Sequence, residues 1–207
     1  MKLKVCGMKY DENIQVVAGL QPDYLGFIFY EKSPRNFTGN IPEIPEGIKK
    51  IGVFVDESID SILSKVTEHN LDIVQLHGHE TSTYCSELKK KSHHIEIIKA
   101  FSVDNEFDFT LLQPYEAFVD YYLFDTKGRF PGGNGYTFNW EILENYPSTK
   151  PYFLSGGIGL DEIDSVLSFL QKQESNYCYA IDINSKFEEE PGLKNIEKIK
   201  EFKSQLP

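Results

Sequence analysis

The feature that most constrains this chain is the recurrence of short, nearly continuous apolar runs. "LKVCG", "YLGFIFY", "KKIGVFVD", "DIVQLHG", "EIIKAFSV", "YYLFDT", "PYFLSGG" and "CYAIDINS" follow one another in order. Their spacing of roughly 20–30 residues is that of a strand plus a helix. Strands apolar on both faces belong in a parallel sheet covered by helices, because a sheet wetted on one side alternates polar and apolar residues instead. Several connections carry the helical period. Ile59, Ile62, Leu63 and Val66 form one stripe, Ile163, Val166, Leu167 and Leu170 another, and Leu193, Ile196, Ile199 and Phe202 a third. One connection breaks the rule: "EKSPRNFTGNIPEIPEGI" holds Pro42 and Pro45 and leaves little room for a regular helix. Eight βα-like units in 207 residues predict a single-domain (β/α)8 TIM barrel spanning residues 1–207, with a shortened or irregular second helix. An open doubly wound sheet is the alternative. It calls for a glycine-rich turn after the first strand, where Cys6-Gly7-Met8-Lys9 offers one glycine.

Composition narrows the class. A net charge of −11 opposes duplex nucleic-acid binding, which needs a basic face for phosphates. No apolar run reaches the ~18–20 residues that cross a bilayer, and no signal-peptide pattern opens the chain, so a cytoplasmic protein without membrane contact is expected. The three cysteines, Cys6, Cys85 and Cys178, have no metal-ligand spacing and cannot all pair, which suits a reducing compartment. Cys85, three residues before Leu88, reads most simply as core. The histidines His69, His77, His79, His93 and His94 complete no metal set. No metal site is expected.

In a barrel of this kind reactive groups gather at the C-terminal strand ends. The polar residues there are Cys6, Arg35 shortly after the second strand, His77, Lys99, Asp125, Gly156 with Gly157, and Asp182, Asn184 and Ser185. Each has a plainer reading: Cys6 as a small hydrophobe, Asp125 as a cap, the glycines as a tight turn. Jointly they say more. Strands 1 and 6 lie on different sides of a closed ring, so Cys6 and Asp125 would face one another across its mouth as a base and an acid. Lys4 shares the strand face of Cys6 and is the expected source of positive potential for a thiolate. Asp125 would need its pKa raised to act as an acid. The glycines after strand 7 and Ser185 after strand 8 fall where barrels commonly hold phosphate. The long glycine-rich segment "KGRFPGGNGYTFNW", with its 127–137 loop, is a candidate flap before the next helix.

Taken together, "KVCG", "DYLGFIFYEKSPR", "IGVFVD", "VQLHGHE", "LFDT…GGNGYTFNW", "LSGGI" and "DINSKFEEEPGLKN" resemble the phosphoribosylanthranilate isomerases of tryptophan biosynthesis, through essentially the whole chain. The resemblance implies an aldose–ketose isomerase. It would carry out the Amadori rearrangement of N-(5-phosphoribosyl)anthranilate to 1-(2-carboxyphenylamino)-1-deoxyribulose 5-phosphate, with the substrate's own nitrogen as electron sink and no cofactor. Cys6 matches the family's general base and Asp125 its general acid. Arg35 matches the residue that binds the anthranilate carboxylate; His77, Asp182 and Asn184 match ligand contacts; Gly156, Gly157 and Ser185 match the phosphate loops. The implied partner is a small phosphorylated substrate, and the chain is expected as a monomer or homodimer. Lys186 departs from the glycine usual after the strand-8 serine and bears on the phosphate contacts. Two rival readings are a Schiff-base lyase using Lys99, placed near the barrel interior on strand 5, and a non-catalytic barrel that binds a phosphorylated metabolite.

Overall fold

A computed structural model describes residues 1–126 and 139–207 of the chain. Eight parallel strands close into a barrel in sequence order: β1 (Lys2–Val5), β2 (Tyr24–Ile28), β3 (Lys49–Phe54), β4 (Ile73–Leu76), β5 (Glu96–Val103), β6 (Tyr121–Thr126), β7 (Tyr152–Leu154) and β8 (Cys178–Ile183). Closure runs through β1 and β8, where Lys4 sits opposite Asp182. The expected barrel is therefore the one observed, and the open sheet is not.

Helices α1 (Asp11–Gly19), α2 (Ile59–His69), α3 (Ser82–Lys91), α4 (Ile163–Leu170) and α5 (Ile196–Gln205) pack on the outside. Their limits follow local chemistry. The Ser58 hydroxyl accepts from the Ser61 N–H to start α2, and left-handed Asn70 ends it. The Asn195 side chain accepts from the Lys198 N–H at the start of α5. Between β2 and β3 there is no helix, as the prolines require. Buried Phe37 and half-buried Ile41, Ile44 and Ile48 fill its place, with the Phe37 ring 5.1 Å from that of Phe27.

Two connections depart from expectation. After β5 and after the segment following β6 the chain makes only 3-10 turns, Phe109–Tyr115 and Trp140–Asn145, rather than α-helices. Leu193, assigned by spacing to the last helix, instead lies in a small antiparallel hairpin of β9 (Glu188–Glu190) and β10 (Leu193–Lys194). Left-handed Gly192 turns the hairpin just before β10.

Strand side chains alternate between two cores. One faces the helices and the other fills the barrel, where Ile51, Val53, Ile73, Ile98, Leu123 and Ala180 are buried. Aromatic rings close its lower end: Phe153 lies 5.3 Å from Tyr24 and 5.5 Å from Tyr121, which is 5.0 Å from Tyr179. Lys2 Nζ lies 4.3 Å from the centroid of the Tyr179 ring.

Candidate active site

The upper end of the barrel opens into a cavity of about 620 Å³. Cys6, Arg35, His77 and Asp125 line it. So do Gly156, Gly157, Asp182, Asn184 and Ser185, which brings together every expected site residue except Lys99. A wider, shallower cleft of about 710 Å³ lies beside the β2–β3 loop and the end of α2, but it gathers none of these groups.

Cys6 leaves β1 with its backbone N–H bonded to the Ile183 carbonyl at 2.9 Å, which fixes where the thiol emerges. The sulfur has room because β2 carries Gly26 beside it: a Cβ there would stand 2.8 Å from Sγ. Gly7 then turns the chain at φ +77, where a side chain would strike Asn184 and Arg35. Burial pushes the Cys6 thiol above its ordinary value, while Lys4 and Lys194 pull against that shift. The expected influence of Lys4 is present, but it does not outweigh desolvation. Lys4 Nζ donates to Asp182 Oδ2 at 2.8 Å, with both side chains inside the barrel. Burial pulls the Lys4 ammonium down, yet Asp182 and Cys6 more than restore it, so it is held above its usual range. Asp182 is pushed up by burial despite Lys4. Its Oδ1 is buried without a hydrogen-bond partner among the described residues and faces ligand space.

Asp125 is the penultimate residue of β6, in register with Ser102 of β5. Its Oδ1 accepts from the Thr126 N–H at 3.0 Å, and its Oδ2 lies 3.3 Å from His77 Nε2. Gln75, buried one inward position below His77, places Nε2 2.8 Å from His77 Nδ1. With that amide assignment Nδ1 accepts and His77 donates through Nε2–H to Asp125. The site thus sets a thiol and a carboxyl group around one cavity, the carboxyl oriented by a histidine that is itself oriented by an amide.

Arg35 emerges from the β2–β3 loop, and its guanidinium meets Glu188: Nε lies 2.9 and 3.0 Å from the carboxylate oxygens and Nη2 2.6 Å from one of them. Opposite, Gly156 and Gly157 follow β7 with φ of +93 and +67, a conformation that turns backbone N–H groups into a concavity. A Cβ on Gly156 would fall 2.2 Å from Thr126 Oγ1, so glycine is required there for space as well. Ser185 begins a 3-10 turn after β8. The exposed Lys186 side chain packs towards Gly159 and is not among the cavity-lining residues, so it does not obstruct the loops.

Lys99 does not point into the barrel. It shares the outward face of β5 with Ile97 and Phe101, donates to Glu80 Oε2 at 2.8 Å and to the Gly78 carbonyl at 2.7 Å, and is sealed between barrel and helices. It is a structural clamp on the β4–α3 loop. The flap proposed for 127–137 lies outside the described residues. Sequence reasoning missed Gln75, Glu188 and Lys194. Of these, only the charges in "EEEPGLKN", so close after the strand-8 end, offered a signal.

Among the described residues no group of three or more His, Cys, Asp or Glu side chains is arranged to hold a metal ion, and no helix is long and apolar enough to cross a membrane. The family model described as N-(5'-phosphoribosyl)anthranilate (PRA) isomerase matches residues 3–205. The N-(5'-phosphoribosyl)anthranilate isomerase of Parabacteroides distasonis is 40% identical over 213 residues, covering 100% of this chain and 93% of the relative. The crystal structure of phosphoribosyl anthranilate isomerase from Thermotoga maritima superposes with a TM-score of 0.84 at 30% identity, covering 99% of this chain and 98% of the other. A phosphoribosyl anthranilate isomerase in complex with reduced 1-(o-carboxyphenylamino)-1-deoxyribulose 5-phosphate superposes with a TM-score of 0.79 at 29% identity, covering 98% and 96% of the two chains.

Proposed function

The chain belongs to the N-(5'-phosphoribosyl)anthranilate isomerase family, and from that premise we propose that Cys6 and Asp125 are the base and acid of its reaction. The enzyme is the isomerase of tryptophan biosynthesis that converts N-(5-phosphoribosyl)anthranilate to 1-(2-carboxyphenylamino)-1-deoxyribulose 5-phosphate. Asp125 gives its proton to the furanose ring oxygen as the C1–O bond breaks, and the nitrogen lone pair closes an iminium. The Cys6 thiolate takes the proton from C2, and the electron pair returns through C1 to nitrogen as the enolamine. Protonation at C1 and loss of the O2 proton complete the ketone. The substrate's nitrogen is the electron sink, so the chemistry needs neither metal nor cofactor. Arg35 holds the anthranilate carboxylate, for which a planar guanidinium is suited. Gly156, Gly157 and Ser185 receive the phosphate, while His77, Asp182 and Asn184 orient the sugar between.

The observation that carries this reading is the convergence of Cys6, Asp125 and the two left-handed glycines on one cavity. All these groups come from one chain, so monomer and homodimer would work alike. The three buried free thiols support a reducing cytoplasm as its setting. The test follows loss of anthranilate-adduct fluorescence in the parent protein, Cys6→Ser and Asp125→Asn. Each variant is expected to bind the reduced product analogue yet turn over at least ~100-fold more slowly, the usual weight of acid–base groups. Undiminished turnover in either variant defeats the assignment of roles.

A further inference from the structure

Two buried charged side chains beside the cavity take no part in the proton transfers. Glu188 and Lys194 stand on β9 and β10, their side chains 4% and 0% exposed. The Glu188 carboxylate accepts from Arg35, from Lys194 Nζ at 2.7 Å and from the Gly192 N–H at 3.1 Å. Lys194 Nζ also donates to Asn184 Oδ1 at 2.7 Å. Its backbone is tied to α1, the Asn13 amide bonding Lys194 O at 2.9 Å and Lys194 N at 2.8 Å. Neither cation can drift far from the shared carboxylate.

The charges decide what this arrangement can do. An isolated Arg35–Glu188 pair would be neutral and would present a ligand anion with no net attraction. With Lys194 against the same carboxylate, two cations share one anion and one positive charge remains. Because Glu188 occupies Nε and one side of Nη2, the edge of Arg35 that includes Nη1 is left for a ligand.

We propose that Lys194 is a specificity-determining residue: by sharing Glu188 with Arg35, it leaves the triad one net positive charge with which to select the carboxylate on the substrate's aromatic ring. The inference rests on the reading of Arg35 given above. Lys194 also pulls on the Cys6 thiol, so turnover would mix two effects, and ground-state binding separates them.

The experiment is calorimetric titration of the full chain with reduced 1-(o-carboxyphenylamino)-1-deoxyribulose 5-phosphate and with its counterpart lacking the carboxyl group. The ratio of the two affinities measures the preference. Lys194→Met is expected to lower that preference about tenfold, mainly by weakening the carboxylated ligand. Glu188→Gln is expected to raise it, since both cations are then unopposed. Opposite signs are what a merely structural role would not produce. An unchanged preference in Lys194→Met, equal weakening of both ligands, or a fall in Glu188→Gln overturns the inference. Should Lys194→Met fail to fold, the sign of the Glu188→Gln effect decides alone. Arg35→Met tests the underlying reading separately: if it leaves the preference intact, the role given to Arg35 fails, whatever Lys194 does.

Discussion

Lys4 Nζ on β1 stands 2.8 Å from Asp182 Oδ2 on β8, and the register of those two strands sets the residues side by side inside the barrel. The pair lies one inward position below Cys6, where water cannot screen it. Lys4→Met leaves Asp182 buried and unpaired, which is expected to cost about 3–5 kcal/mol in urea unfolding. Lys4 is also the largest influence favouring the Cys6 thiolate. Its removal should move the pH midpoint of Cys6 alkylation upwards; an unmoved midpoint would show that Lys4 does not tune the thiol.

Gly26 bears on the position of the same sulfur. A methyl group there would meet Sγ at 2.8 Å and the Cys6 Cα at 3.1 Å. Gly26→Ala should therefore displace the thiol rather than unfold the barrel. Misplacing a reacting group by about 1 Å costs on the order of 100-fold, so kcat should fall by that order while product-analogue affinity changes little. Retained kcat with a normal circular dichroism spectrum would show that the sulfur tolerates the shift.

Lys99 supplies a negative prediction. Its ammonium is enclosed by Glu80 and the Gly78 carbonyl on the helix side of β5. Borohydride added during turnover should leave the Lys99 peptide at its unmodified mass. Lys99→Met should instead act through stability, by about 3–5 kcal/mol, because Glu80 would remain buried without its cation. A reduced adduct on Lys99 would revive imine chemistry.

Activity and stability depend on pH with opposite signs. Cys6 must lose its proton to act, and burial holds that proton on the free enzyme. The kcat/KM profile should thus rise with pH, its limb lying above the ordinary thiol value of about 8.5. Stability runs the other way. Burial raises Cys85 to about 11 and Cys178 to about 12, so the folded state keeps protons that the unfolded chain loses from about 8.5 upwards. Their contribution is intact below that value and is lost as the pH climbs through the folded values. Urea midpoints should fall between about pH 8 and pH 11, and a flat profile would contradict the burial of these two thiols.

The eight strands were legible because buried parallel strands are apolar on both faces, a pattern few loops imitate. The same property hid the direction of Lys99. With Ile97 and Ile98 both apolar, nothing in "EIIKAF" says which parity faces the barrel. The strand-end rule located Cys6, His77 and Asp125, since topology alone brings them to one mouth. It could not locate Glu188 and Lys194, which meet Arg35 and Asn184 behind the cavity wall from a hairpin too short and too polar to show a strand period. Leu193 misled because its distance from Ile196 fits a helix as well as a coincidence. The 3-10 turns after β5 and β6 escaped for lack of any apolar stripe long enough to read.

The rings of Tyr24, Tyr121, Phe153 and Tyr179 plug the lower end of the barrel, so among the described residues that end offers no back door. Whatever enters past Arg35 must retrace its route, and the two traffic directions cannot be open at once. Each departing ketose vacates the berth before the next aminoaldose docks, which makes product and substrate direct rivals for the same doorway.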